Sequence, residues 1–190
     1  MPSVKINPIR IYGPWVDGFT LDRHSIGVYS RWNPDRTELG ELIHQLKYSK
    51  NAAALARIVD TAEEFIRKRW GELPALDCIV PAPPSLARFS TQPVFEIVDA
   101  LAARLGIDSP HDAVIKVSET PALKRISFGV DRRLLLRAAI QKGPRDIRNK
   151  CILVVDDFTE THSTLGRATD VLLNDGGPSE VYALAFLRTR

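Results

Sequence analysis

The sequence predicts an α/β fold, a mostly parallel sheet flanked by helices, and three observations carry that expectation. Residues 151–155 (Cys-Ile-Leu-Val-Val) form an apolar, β-rich run followed by a helical stripe and a second apolar run over 181–187, the spacing of a βαβ unit. A shorter apolar run, 77–81, lies between two stretches of helical periodicity. Strands that read as continuously apolar and alternate with helices are buried on both faces, as parallel sheets require.

Taken from the N-terminus, the first 35 residues are rich in Pro, Gly and aromatics (Tyr12, Trp15, Phe19, Tyr29, Trp32) and hold no sustained period. They read as short strands and loops packed on a neighbouring surface. From Thr37, a candidate N-cap, the stripe Leu39, Leu42, Ile43 and Leu46 predicts a helix. A second helix is predicted over 52–70, with Leu55, Ile58, Val59, Ala62, Phe65 and Ile66 on one face. The strand at 77–81 ends in the rigid run Pro81, Ala82, Pro83, Pro84, Ser85. A helix over 93–105 follows, opened by Pro93 and closed by Gly106. Residues 113–117 read as a strand, 118–131 as a long loop and 132–141 as a helix. The strand at 151–155 leads into a helix over 163–173, stopped by Gly176 and Gly177, and a last strand over 181–187.

At 190 residues and 44% hydrophobic, the chain is sized for a single domain with one substantial core. Its 26 basic and 23 acidic residues leave a net charge of +3 spread along the chain, so nucleic-acid binding is not indicated, while a cleft for a small polyanion remains compatible. Cys78 and Cys151 each sit in an apolar run and read as structural thiols. No signal peptide is legible, no apolar run approaches the roughly 20 residues of a membrane span, and a cytoplasmic location is expected.

Chemistry concentrates where the apolar strand ends: Val154-Val155-Asp156-Asp157-Phe158-Thr159-Glu160-Thr161-His162-Ser163-Thr164. Two carboxylates stand at the carboxyl end of a parallel strand, where open α/β sheets bind ligands. The following loop offers hydroxyls and the N–H groups of a helix N-terminus, a setting suited to phosphate. Carboxylates for a vicinal diol beside a phosphate cradle point to a ribose phosphate. An Asp or Thr before a helix is often only an N-cap, and the weight of the reading therefore rests on the Asp156-Asp157 pair.

This segment resembles the motif by which the type I phosphoribosyltransferase family binds phosphoribosyl pyrophosphate: an apolar strand, two acidic residues, two apolar residues and a Thr-Thr-Gly-x-Thr loop. The runs Leu42-Ile43-His44-Gln45-Leu46-Lys47-Tyr48, Val80-Pro81-Ala82-Pro83, and Gln92 followed by Ala100-Leu101-Ala102-Ala103-Arg104-Leu105-Gly106-Ile107 resemble the ComF-like branch, so the likeness extends over about 39–188. It implies a single domain over 1–190, with 1–36 as a small N-terminal hood or cap. Asp156 and Asp157 would hold the ribose hydroxyls of phosphoribosyl pyrophosphate (PRPP), while Glu160, Thr161, His162, Ser163 and Thr164 would surround the 5-phosphate. Pro81, Ala82, Pro83, Pro84 and Ser85 would lie near pyrophosphate. Residues 121–133 would close over the site, with Lys124 and Arg132 joining the two aspartates as catalytic residues. Magnesium would arrive with PRPP, any direct protein contact running through Asp156. The implied partner is a small phosphoribosyl ligand, with a homodimer left open.

Two departures fall in the phosphate loop, Glu160 for a family Thr and His162 for a family Gly. A carboxylate about 5 Å from phosphate would repel it by roughly 3 kcal/mol per unit charge at an effective dielectric near 20, so Glu160 is expected to point away. If the family Gly is left-handed, a side chain there costs about 1–2 kcal/mol. The paired N-terminal cysteines of many ComF-like proteins are absent. Two functions stay open, a phosphoribosyltransferase releasing pyrophosphate and a degenerate PRPP or nucleotide binder in regulation or DNA uptake. A receiver-type phosphotransfer domain fits poorly, since only one strand follows Asp156.

Overall fold

The computed structural model describes residues 3–27, 35–71, 75–84, 92–118 and 139–189. Chain order is β1 (Ile9–Arg10), β2 (Gly18–Arg23), α1 (Glu38–Ser49), α2 (Ala52–Trp70), β3 (Cys78–Pro81), α3 (Pro93–Leu105), β4 (Val114–Lys116), β5 (Ile140–Lys142), β6 (Cys151–Thr159), α4 (Ser163–Val171), a π-helical turn (Leu172–Gly176) and β7 (Glu180–Arg188). The central sheet runs β1-β2-β7-β6-β3, with β2, β7, β6 and β3 parallel and only β1 antiparallel. The fold is thus the expected mostly parallel sheet flanked by helices, with the βαβ unit realised as β6, α4 and β7. Among the described residues no helix is long and apolar enough to cross a membrane.

Alternation along the strands divides the core into two layers. Leu153 and Val155 of β6, with Leu184 and Phe186 of β7, pack against α1, α2 and α3. Ile152, Val154 and Ala183 face the opposite way, onto Leu165, Ala168 and Val171 of α4 and the β4–β5 ladder. Both cysteines are buried thiols, pushed up to about 11 mainly by burial, which fits the structural role expected of them.

The helices α2 and α3 coincide with the predicted spans, and each opens as its sequence suggests, α2 on an Asn51 side-chain cap and α3 with Pro93 in its first turn. Thr37 does two jobs. Its hydroxyl caps α1 by accepting from Gly40 N at 3.1 Å, and it donates to Arg23 O at 2.6 Å, tying the helix start to the end of β2.

Three expectations change. The N-terminal segment expected to lie over the sheet supplies β2 to the sheet itself, parallel to β7, because Phe19 and Leu21 join the α1–α3 core. Ile140 and Gln141, expected at the end of a helix, belong to β5, where they pair antiparallel with β4. Their short apolar run fits either period, and the buried Ile140 decides it by packing. The strand after Cys151 continues four residues beyond Val155, to Thr159, since β7 pairs with it as far as Arg188. Of the predicted 132–141 helix, Ala139 is helical, while 132–138, like Tyr29 and Trp32, lie outside the described residues.

The seat of α1 on the sheet edge depends on Gly40, where an added Cβ would stand 2.5 Å from the carbonyl oxygen of His24. Backbone cannot yield as a flexible side chain does. Gly40→Ala is therefore expected to destabilise the protein by about 1–3 kcal/mol despite alanine's better helix propensity. The measurement is the urea midpoint at unchanged m-value; an upward shift would contradict the close approach.

Candidate functional site

The site begins with the hydrogen-bonded register of β6. Asp156 pairs with Ala185, and Phe158 and Thr159 pair with Leu187 and Arg188, so both aspartates are strand residues and not part of the loop. By alternation Asp156 leaves the sheet on the α4 side and Asp157 on the α1 side. Both are half-buried, and their carboxyl groups still reach each other across the strand end in a hydrogen bond.

Desolvation first, then the neighbouring Asp157 charge, drives the Asp156 pKa well above its ordinary value. Desolvation also raises Asp157, but the Lys47 ammonium at the end of α1 opposes it. Two full carboxylates about 4 Å apart would repel by roughly 4 kcal/mol at an effective dielectric near 20, more than one hydrogen bond between them returns. The pair therefore holds a proton readily, and a diol or a cation would relieve the same repulsion. Lys47 and the exposed ring of Phe158, edge-on to His24 at 5.8 Å, complete the immediate surroundings.

The turn into α4 is set by His162, whose φ of 56° and ψ of 10° are left-handed. This is the conformation anticipated for a glycine at that place. Its cost of about 1–2 kcal/mol is partly offset by local bonds. His162 N donates to Thr159 Oγ1 at 3.0 Å, and the ring Nδ1 lies 3.2 Å from the same hydroxyl. Burial, then the Arg188 charge, lowers the imidazole pKa and so disfavours its charged form. Beyond it the Thr161 and Ser163 hydroxyls meet at 2.8 Å, Ser163 and Thr164 stand in the first turn of α4, and Glu160 is exposed.

Pro81 ends β3 opposite Val155, and Ala82 N donates to Val155 O at 2.7 Å. The segment of Pro81, Ala82, Pro83 and Pro84 thus leaves the sheet beside the aspartate pair. Pro81 causes no conflict there, because β3 is the last strand of the central sheet. Ser85, Lys124 and Arg132 lie outside the described residues. An apolar cavity of about 310 Å³ opens at the other end of the sheet, lined by Trp70, Leu76, Leu105, Ile107 and Tyr182.

Sequence reasoning missed Lys47, Thr159 and Arg188. Phe158 and Thr159 favour β structure, and extending the strand through them would have placed Thr159 on the Asp157 face. Nothing in the spacing of α1 tells that Lys47 reaches Asp157.

The raised Asp156 pKa has a definite sign. A group whose folded pKa exceeds its ordinary 3.8 adds stability below that value and loses it as pH rises through the folded pKa. Asp156→Asn is thus expected to stabilise the fold by about 1–2 kcal/mol at neutral pH, with the gain vanishing toward acid. Thermal melts of both proteins across pH test this; a neutral-pH loss of stability would contradict the repulsion.

No family model matches the chain, and no curated protein matches it. Solved structures do. Adenine phosphoribosyltransferase from Saccharomyces cerevisiae, complexed with an imino-altritol bisphosphate and adenine, is 13% identical with a TM-score of 0.47, over 73% of this chain and 72% of that one. The Leishmania tarentolae enzyme is 14% identical over 86% and 81%, with a TM-score of 0.46. The Thermoanaerobacter pseudethanolicus enzyme is 15% identical over 74% and 83%, with a TM-score of 0.43.

Proposed function

We propose that this chain binds PRPP at the end of β6 and transfers its phosphoribosyl group to a nitrogen base with release of pyrophosphate, as a ComF-like type I phosphoribosyltransferase. The observation that carries the proposal is the hydrogen-bonded Asp156-Asp157 pair at a parallel strand end, one turn away from the start of α4. A ribose offers two adjacent hydroxyl donors to carboxylates that otherwise repel each other. Its 5-phosphate would meet the Glu160 to Thr164 loop and the positive end of α4. The segment from Pro81 to Ser85 would flank pyrophosphate, with Lys124 and Arg132 as its cationic contacts.

In this reaction the C1–oxygen bond breaks, pyrophosphate leaves with the electron pair, a C1–nitrogen bond forms, and the base nitrogen releases its proton. The chain holds the sugar and excludes water, and none of its side chains needs to be a nucleophile. Magnesium enters as part of the substrate. Among the described residues no group of three or more His, Cys, Asp or Glu side chains converges, while the Asp pair can contact a cation that takes most ligands from pyrophosphate and water.

A second reading, a PRPP or nucleotide binder without turnover, is favoured by the left-handed His162 and by the carboxylate of Glu160 beside the phosphate loop. Calorimetric titration with magnesium and PRPP, followed by pyrophosphate release across purine and pyrimidine bases, separates the two. Wild type is expected to bind PRPP, and Asp157→Asn to weaken binding by about 10-fold or more, the loss of a charge-assisted hydrogen bond. Unchanged affinity in Asp157→Asn would remove the site. No wild-type binding, with binding gained in Glu160→Thr/His162→Gly, would overturn the enzyme reading.

A further inference from the structure

On the α1 face of the sheet, the row that holds Asp157 continues as a basic shelf. Register sets Thr159 beside Arg188, and Arg188 beside Arg23 of β2. Alternation puts all three on the face of Val155, Phe186 and Leu21. Neighbouring strands lie about 4.8 Å apart, so two guanidinium-bearing residues stand directly side by side, an arrangement unfavourable when nothing neutralises it.

Among the described residues neither arginine forms an ion pair with a carboxylate, and the one acidic charge that acts on Arg23 is that of Asp22. Arg188 Nε is buried without a hydrogen-bond partner among the described residues. Burial and the Arg23 charge lower the Arg188 pKa, a sign that the cluster is electrostatically unsatisfied. Asp22 acts on Arg23, but alternation turns its carboxylate to the other face, where it accepts the Arg23 backbone N–H at 2.8 Å. Nearby, Arg36 is matched by Glu41 at 3.1 Å, so its charge is already spent, although its Nε is also buried without a partner among the described residues.

Sheet order gives the shelf its meaning. β3 and the Pro81 segment flank one side of β6, and β7 and β2 flank the other. Displacement at a saturated carbon brings the nucleophile from the side opposite the leaving group. With pyrophosphate on the β3 side, the incoming base lies over β7 and β2. We propose that the acceptor is a nitrogen heterocycle bearing a carboxylate, which Arg188 and Arg23 hold as the ring nitrogen approaches C1. This rests on the phosphoribosyl-transfer reading. The carboxylate takes no part in bond making and only fixes the ring, as planar guanidinium groups do for planar anions.

The test is calorimetric titration of bases that differ in the acid group, orotate against uracil and nicotinate against nicotinamide, into protein saturated with ribose 5-phosphate, which lacks the leaving group. Wild type is expected to bind the acid member of a pair about 10-fold or more tightly. Arg188→Gln and Arg23→Gln should each remove that preference, leave ribose 5-phosphate affinity within about twofold, and keep or raise the melting temperature. Equal affinities in wild type, or a preference that survives both substitutions, would overturn the assignment. So would loss of ribose 5-phosphate binding in Arg188→Gln with the acid preference intact, which places the arginine on the sugar phosphate. If ribose 5-phosphate does not bind wild type at all, the transfer reading fails and the acceptor assignment falls with it; if it binds and the bases do not discriminate, only the acceptor assignment fails.

Discussion

The parallel ladder between β6 and β7, nine residues long in each strand, runs past the last core residues and sets everything at the carboxyl end of the sheet. Up to Val155 and Leu184 the pairing is held by side chains buried on both faces. Beyond Val155 the backbone hydrogen bonds continue while β6 turns polar against the still apolar Ala185, Phe186 and Leu187 of β7, so Asp156, Asp157, Thr159 and Arg188 are placed by a rigid strand geometry and not by a loop. Sites built on strands keep their geometry because the groups that hold them are already paired.

That geometry concentrates unfavourable terms. Two carboxyls share one strand end, a histidine takes a left-handed turn, and two arginines stand on adjacent strands. Each costs on the order of one to a few kcal/mol, and such costs persist where the surrounding structure over-determines the conformation. Here the surroundings are the two core layers, α1–α3 on one face and α4 with the β4–β5 ladder on the other. A ligand presenting hydroxyl donors to the carboxylates and anionic groups to the arginines would relieve most of these terms at once, which is how a strained resting site favours its ligand.

The path of α1 matters for the same reason. Thr37 and Gly40 seat its first turn against the end of β2, and the helix then carries Lys47 across to Asp157. The two aspartates consequently differ although they are adjacent in sequence. Asp156 faces α4 and feels mainly burial and its neighbour, while Asp157 has a cation that favours its charged form.

Local chemistry in the sequence was enough to determine the helices at 52–70 and 93–105, the βαβ unit, the Thr37 cap and the position of the aspartate pair before the α4 turn, because periodicity, capping residues and a run of apolar β-formers act over a few residues. It also anticipated the strain at His162, since a side chain in a glycine's place is visible in one position. Pairing between distant segments was not legible there. Only the tertiary structure decided that β2 joins the sheet, that Ile140 is strand, that β6 extends to Thr159, that Lys47 acts on Asp157, and that Arg188 and Arg23 stand side by side on β7 and β2. Which strand lies beside which depends on burying both faces of the sheet together, and no local pattern encodes that.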